Sequence, residues 1–379
     1  MHRHFLSLIL AASLSFMASA AQAEMKTTVG GTANWQAGYS DQDSAFDAGT
    51  RHQGFRNDTE VNVNVENTMD AGAKYGATIE LEADVTADAR GEGVNADKTF
   101  LWFEGDFGRL ELGNNADVAQ TMVVNAASIA RATGGIDGDD EFFINSLGSA
   151  GTASFIIHPD LPSAFIGGIA EDATKIVYYT PVWSGFQLGV NYTPDQGDGG
   201  QLALRDEFDA NYENVFDLGL SYNNEFDGIQ ISAAIVGEIG KGETLITGPA
   251  FVVATSDLED LRAWQAGLLL GYKGFSIAGS YADWGDSVSF VDPSLDPVDS
   301  DFWTLGVAYA QDEVWGISAT YLDSDNAGDE YQSLVVGADY TLAPGLTPYV
   351  EMTFFDADEE FNPDNNNGTV LLVGSYLNF

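Results

Sequence analysis

Carboxylates are the commonest residues of this chain that could do chemistry. The 379-residue sequence holds 58 Asp and Glu against 14 Lys and Arg, with His at 4, no Cys and a formal net charge of −44. Without cysteine, thiol catalysis and cysteine-ligated zinc are excluded, and so acidic a chain would repel a nucleic-acid backbone. Carboxylates in such number can act as general acids, hold divalent cations or line a path for cations.

The spacing of the reactive residues does not support catalysis. His52 and His158 lie outside any Gly-x-Ser-x-Gly or His-Glu-x-x-His pattern. Gly240-Lys241-Gly242 does not make a phosphate-binding loop, because Ser or Thr should follow the lysine. We therefore predict that the protein is not an enzyme and has no cofactor.

Charged residues recur at every second position in several segments. In the stretch 60–66, for example, three valines alternate with carboxylates and amides. Side chains two positions apart lie on the same face of a strand, so the polar set should face water and the apolar set should not. The candidates on these polar faces are Arg56, Asp58, Glu60, Lys74, Glu80, Arg109 and Glu111.

The elements that position these residues are predicted to be sixteen strands. Short turn signals, such as 105–108, alternate with longer acidic connections, such as 196–210. We therefore predict an all-β fold, a transmembrane antiparallel up-and-down β-barrel of about 16 strands with both termini on the periplasmic side. The predicted strands are 26–39, 54–67, 75–87, 96–104, 109–115, 174–181, 186–194, 212–224, 229–239, 261–272, 275–284, 301–312, 316–324, 331–342, 347–357 and 369–379.

The two ends of the sequence carry signals of their own. Residues 1–23 are predicted to be a secretory signal peptide, with an apolar run from Phe5 to Phe16 and a small-x-small site at Ala21-Gln22-Ala23. Residues 24–379 would then form the barrel. The final strand places Leu371, Val373, Leu377 and Phe379 on one face and ends on the aromatic residue.

Several stretches, taken in order, carry a resemblance to a known family. They are 55–60, 79–84, 105–114 and 177–192, followed by the terminal Phe379. They resemble the general porins of Gram-negative bacteria, in particular the alphaproteobacterial type, over the whole of 24–379. The resemblance implies a homotrimer of sixteen-stranded barrels among outer-membrane lipid and lipopolysaccharide. It also implies a third loop folded into each pore and passive diffusion of ions and small hydrophilic solutes.

The long stretch from Ala116 to Ala173 occupies the place of that third loop. A connection of this length is uncommon unless it has a function. The cations expected to oppose it are Arg56, Lys74 and Arg109, with Arg51 as a further candidate. Its own charged candidates are Arg131, Asp137, Asp139, Asp140 and Glu141. Because carboxylates in a pore favour cations, we predict a cation-selective channel.

Loop carboxylates are a further candidate site, for Ca²⁺ or Mg²⁺. The stretch 323–328 faintly resembles a calcium loop, but Ala327 and Leu334 stand where oxygen ligands should be. Diffuse screening by divalent ions shared with lipopolysaccharide is the simpler expectation. The candidate ligands are Asp296, Asp299, Asp301, Asp323 and Asp325.

Two other functions remain open from the sequence. A solute-specific barrel channel could stack sugars or organic cations on Trp264, Tyr281, Trp284 or Trp303, although the same rings would suit a membrane-interface girdle. A secreted all-β adhesin with calcium-dependent loops would explain the acidity and the strands. It would not explain the terminal Phe379 or the alternation of short and long connections.

Overall fold

The computed structural model describes residues 25–47, 49–83, 95–145, 159–165, 173–196, 211–247, 254–289, 299–311, 314–358 and 365–379. The predicted signal peptide, His158 and Asp296 lie outside the described residues. Within these ranges, no helix has the length and apolar character needed to cross a membrane.

Sixteen antiparallel strands close into one barrel, in which the last strand pairs with the first. The fold predicted from the sequence is confirmed. The first eight barrel strands are β1 (Lys26–Gln42), β2 (Gln53–Thr68), β3 (Lys74–Glu82), β4 (Asn95–Gly105), β5 (Gly108–Asn114), β6 (Thr174–Tyr179), β7 (Phe186–Asp195) and β8 (Tyr212–Phe226). The other eight are β9 (Ile229–Gly242), β12 (Arg262–Tyr272), β13 (Phe275–Gly285), β14 (Ser300–Gln311), β15 (Trp315–Asn326), β16 (Asp329–Tyr340), β17 (Leu346–Asp358) and β18 (Asn366–Asn378).

The period-2 pattern of the sequence becomes the two faces of the barrel wall. On β14, Phe302 and Thr304 are buried, whereas Trp303 and Leu305 are 40% and 48% exposed. Successive side chains of a strand point to opposite faces, so an apolar outer face and a largely polar inner face follow from one alternation. The outer face is the one that carries the exposed large hydrophobic residues.

The connections define two ends of the barrel. Short turns, such as 106–107, 227–228 and 273–274, lie at what we call the turn end, where β1 begins and β18 ends. The longer connections lie at the opposite, loop end. One loop-end connection departs from the predicted pattern, because β15 and β16 are joined by the tight turn Ala327-Gly328. Asp325 and Asn326, which lie beyond the predicted strand 316–324, belong to β15.

Two loop-end connections contain secondary structure. Between β9 and β12, β10 (Thr244–Thr247) and β11 (Ala254–Asp257) form a small separate sheet, where the sequence predicted loop. Between β5 and β6 lie α1 (Val118–Met122) and α2 (Pro162–Phe165). The same connection holds 3-10 helices at Ala126–Ile129, Gly135–Asp137 and Asp139–Phe143.

An apolar cluster fills part of the barrel interior towards the loop end. Trp284, Phe302 and Leu322 are fully buried on inner-face positions, and Leu161 of the β5–β6 connection joins the same cluster. Burial of such side chains contributes roughly 1.5–3 kcal/mol each to stability. Leu161 therefore packs the described part of this connection against the inner face of the wall.

Candidate functional site

The connecting segment 115–145 follows the inner face of the barrel wall. Its backbone N–H groups donate to inner-face hydroxyls, from Ala126 to Thr304 Oγ1 at 3.1 Å and from Arg131 to Ser318 Oγ at 2.9 Å. Ile136 N donates to Oγ1 of Thr320, on the same face, at 3.2 Å. Buried N–H groups need such partners, so the serine and threonine positions of β14 and β15 fix the course of the segment.

A buried glutamate on β17 anchors the middle of this segment. Glu351 accepts hydrogen bonds from Thr133 N at 3.2 Å and Gly135 N at 3.4 Å, and also from the Thr133 hydroxyl. The Tyr376 hydroxyl donates to the Ala132 carbonyl oxygen at 2.6 Å. Neither anchor is predictable from the sequence, because an isolated glutamate or tyrosine on a strand carries no signal of its partner.

Side-chain caps shape the start of the segment. Asp117 Oδ1 accepts from Gln120 N at 2.7 Å and so caps α1, while Asn125 and Ser128 form a reciprocal capping box on the next helical turn. Such caps satisfy N–H groups that the first turn of a helix leaves free. Polar residues at these spacings thus stabilise short helical turns at the start of the segment.

Arg56 joins the wall to the far end of the segment. Its Nη1 lies 2.7 Å from Asp139 Oδ1 and 3.4 Å from Asp58 Oδ2, and its guanidinium stacks over the Phe142 ring. Asn34 donates to the other Asp139 oxygen at 3.3 Å. Burial raises the pKa of the Asp139 carboxyl above its usual 3.8, against the lowering effect of Arg56.

A second charged group lies on β3 and β4. Lys98 Nζ is 3.2 Å from Asp97 Oδ2 and 3.4 Å from Glu80 Oε1. Beside it, Asn62 donates to Glu60 Oε1 at 2.5 Å. The structure thus brings the predicted Glu60 and Glu80 together with a cation, Lys98, that the sequence analysis missed. The apolar run that follows Lys98 hides the period-2 pattern there.

A third charged group lies nearer the turn end. Arg109 contacts Glu111 Oε1 at 2.5 Å and Glu104 Oε2 at 3.0 Å, with its guanidinium 4.9 Å from the Trp102 ring centroid. This group opens on an inner cavity of about 610 Å³. The residues lining that cavity include Phe100, Arg109, Glu111, Asn115, Thr121, Tyr179 and Gln187.

The remaining predicted candidates are more scattered. Arg131 Nη1 lies 3.6 Å from Asp339 Oδ2 on β16. Asp140 is buried, Glu141 is half-buried and Asp137 is exposed. Arg51 and Lys74 are exposed at opposite ends of the barrel, in the β1–β2 connection and at the first residue of β3.

The predicted metal candidates do not coincide with the acidic groups that the fold assembles. Among the described residues, the two groups of three that could hold an ion are Asp41, Asp47 and His52, and Asp117, Asp217 and Glu238. Asp299, Asp301, Asp323 and Asp325 belong to neither group. Asp325 accepts from Gly328 N at 2.7 Å and so serves the β15–β16 turn, and Asp323 accepts from the Tyr321 hydroxyl at 3.2 Å.

The aromatic residues considered for solute stacking do not line the interior as a track. Trp264, Tyr281 and Trp303 are about 40% exposed on the outer face. Trp284 is fully buried and donates from Nε1 to the Asp160 carbonyl oxygen at 3.2 Å. Odd-numbered positions of β13 and β14 point outwards, which explains the placement of Tyr281 and Trp303.

Comparison with known proteins agrees with the closed barrel. A sequence model described as Gram-negative porin matches residues 10–360. The chain belongs to the Gram-negative porin family. An uncharacterized protein of Rickettsia bellii is 26% identical over 334 residues, covering 74% of this porin and 75% of that protein. One of Rickettsia typhi is 24% identical, covering 98% and 99%.

Solved porins share the fold of this porin. The anion-selective porin from Comamonas acidovorans has a TM-score of 0.62 at 15% identity, covering 94% of this porin and 100% of that chain. A mutant Rhodopseudomonas blastica porin has a TM-score of 0.60 at 16% identity, covering 93% and 100%. Family and fold together make this porin an outer-membrane channel.

Proposed function

We propose that this porin is a cation-selective channel for passive diffusion of ions and small hydrophilic solutes. The observation that carries the proposal is the surplus of acids around the inner-wall cations. Arg56, Lys98 and Arg109 each lie within 3.4 Å of two carboxylates. Each group therefore holds more carboxylates than cations, and negative charge along a pore favours cations.

We also propose that the segment 115–145 folds into the pore and narrows it. The segment contacts strands from β7 round to β2, for example Asn191 on β7 and Asn34 on β1. The charged groups of Lys98 and Arg109 lie on the intervening strands β3 to β5. Ions would therefore pass between the segment and this charged side of the wall.

The selectivity of the Comamonas porin does not carry over to this chain. At 15% identity the likeness shows the fold alone. Selectivity must come from the charges of this chain, which has 58 acids against 14 bases. The solute-specific alternative loses support, because the four aromatic residues proposed for it lie outside the barrel or are buried.

The test is the reversal potential of the purified protein in a planar bilayer under a KCl gradient. We expect K⁺ to be preferred over Cl⁻. Arg56→Gln should raise that preference by up to about threefold, because one charge about 6 Å from an ion in water contributes about 0.7 kcal/mol. Arg262→Gln, which removes the same charge from a residue exposed at the loop end of β12, is the matched control. A preference for Cl⁻ in the unmodified protein contradicts the proposal.

Export by the predicted signal peptide and assembly as a homotrimer are part of the same proposal. Both follow from the sequence patterns and the family resemblance. Mass analysis of the mature protein extracted from outer membranes tests both, since it gives the N-terminal residue and the number of chains per particle. A mature chain that keeps residues 1–23, or a monomer, contradicts the corresponding part.

A further inference from the structure

Three carboxylates meet inside the wall, away from the charged groups described for the pore. Asp117 precedes α1, Asp217 lies on β8 and Glu238 lies on β9, and each is at most 2% exposed. One carboxylate oxygen from each lies within 4.8 Å of the others. Like charges at such distances repel strongly when they are removed from water, so the group needs compensation.

One oxygen of this cluster has no hydrogen-bond partner among the residues that the structure describes. Asp217 Oδ2 accepts from Asn191 Nδ2 at 2.5 Å, whereas no donor in the described part of the chain bonds to its fully buried Oδ1. A buried carboxylate oxygen without a donor costs free energy, and such atoms commonly mark a water or an ion. This orphaned oxygen is independent of the spacing of the cluster and also indicates a ligand.

The described residues around the cluster supply further oxygen atoms but fewer positive charges than carboxylates. The Ser163 hydroxyl bonds to Glu238 Oε1 and lies 3.3 Å from Asp117 Oδ2, and Ser163 N donates to Glu238 Oε2 at 3.3 Å. Lys175 is a buried cation that attracts Asp217. Among the described residues, one lysine charge faces three carboxylates, and a divalent cation would balance the surplus when all three are ionised.

We propose that Asp117, Asp217 and Glu238 bind one Ca²⁺ ion. The donors are oxygen atoms, which calcium and magnesium prefer. Calcium accepts flexible arrangements of oxygen ligands, whereas magnesium demands near-ideal octahedral geometry. Magnesium also keeps several of its waters, for which a buried site has less room.

The bound ion would tie the start of the β5–β6 connection to the wall through Asp117. Ser163 on α2, in the same connection, hydrogen-bonds to Asp117 and Glu238 and so lies beside the site. Asp217 and Glu238 belong to neighbouring wall strands. Calcium would thus stabilise the connection in place. This inference rests on the cluster itself and does not depend on the selectivity proposed above.

The test is equilibrium dialysis of the full-length mature protein, folded in detergent, stripped with chelator and then exposed to ⁴⁵CaCl₂. The buffer contains about 0.3 M KCl, which weakens diffuse binding to surface carboxylates. We expect one saturable ion per chain. Asp217→Asn and Glu238→Gln should abolish it, and Asp323→Asn, which removes a charge from the outer face, should retain it. Excess Mg²⁺ should displace the ion only weakly.

Thermal unfolding provides a second readout for the same variants. The temperature of heat-modifiable gel migration should rise with Ca²⁺ for the unmodified protein and for Asp323→Asn. For Asp217→Asn, this temperature should be the same with Ca²⁺ and with chelator. The same gel shift also reports whether the barrel of that variant is folded. The proposal is overturned if the unmodified protein binds no saturable ion, or if a folded Asp217→Asn or Glu238→Gln protein still binds it.

Discussion

Asp139 is the residue at which protonation should alter the pore most directly. It contacts Arg56 on the wall and Asn34 on β1, and burial raises the pKa of its carboxyl above 3.8. Asp58 and Glu141 raise the pKa further by repulsion, while Arg56 opposes them. Protonation removes one negative charge and leaves Arg56 less compensated.

Acidification should therefore weaken cation preference, and it should do so at a pH above that at which an ordinary aspartate titrates. The direction of this pH effect follows from the pKa shift, because a carboxyl with a raised pKa is protonated at a higher pH. Reversal potentials measured from neutral pH downwards should show this decrease. Asp139→Asn should make this decrease smaller and have a lower cation preference at neutral pH. Asp323→Asn, on the outer face, should keep the profile of the unmodified protein.

The sequence predicts which strands carry much of the candidate site, but it does not predict which of these side chains contact each other. The alternation around Arg56 and Arg109 indicates an inner, polar face, and the structure places both arginines there beside carboxylates. It does not indicate that Asp139 meets Arg56, which lies 83 residues away along the chain. Lys175 was missed because the strand signal of β6 comes from its apolar residues.

At the scale of elements, the segment 115–145 and the wall fit each other closely. A methyl group on Gly267 of β12 would lie 1.7 Å from the Val124 carbonyl oxygen, so only glycine leaves room for the segment there. On the same face of β12, a methyl group on Gly271 would meet mainly the flexible end of Gln230. These two glycines provide a matched pair of positions.

Gly267→Ala should displace the segment and lower the stability of the barrel by about 1–3 kcal/mol, as overpacking usually does. Single-channel conductance should change as the segment moves, and the heat-modifiable transition should shift to lower temperature. Gly271→Ala should leave both close to those of the unmodified protein. Equal behaviour of the two variants would show that the segment does not rest against Gly267.

The β15–β16 turn offers a substitution that should raise the stability of the barrel. Ala327 has a φ of 56° and Gly328 a φ of 98°, values that suit Asn-Gly and are strained for alanine. Ala327→Asn should stabilise the hairpin by about 1 kcal/mol, measured as a higher unfolding temperature. Ala343→Asn is the control, since Ala343 also lies in a turn but does not itself have a positive φ. A lower unfolding temperature for Ala327→Asn would contradict this explanation.

The strands were the most predictable elements and the loop-end structure the least. Strand predictions succeed here because an apolar outer face and a polar inner face impose a strict period of two. The β10–β11 hairpin pairs Thr244 with Asp257 in a stretch whose glycines and proline suggested loop. Its pairing depends on tertiary position, which local composition does not encode.

The charge of the whole molecule adds a long-range contribution to selectivity. The net charge of −44 far exceeds the charge of the three groups around Arg56, Lys98 and Arg109. Salt screens such distant charges, since the Debye length falls from about 10 Å at 0.1 M to about 3 Å at 1 M. Cation preference should therefore be larger in dilute than in concentrated KCl at the same concentration ratio. A preference independent of salt would restrict its origin to the groups closest to the ion.

The pairing of β1 with β18 also determines when the protein can finish folding. Thr32 hydrogen-bonds to Asn378, 346 residues away along the chain, and the two strands align along eleven residue pairs from Thr32↔Asn378 to Gln42↔Gly368. Contacts of such sequence separation form slowly, because loop-closure entropy is lost before they stabilise the chain. Until the last strand arrives, β1 has an open edge that can pair with another chain and aggregate. A cell that makes this protein must therefore shield its first strand during synthesis and export of all the others.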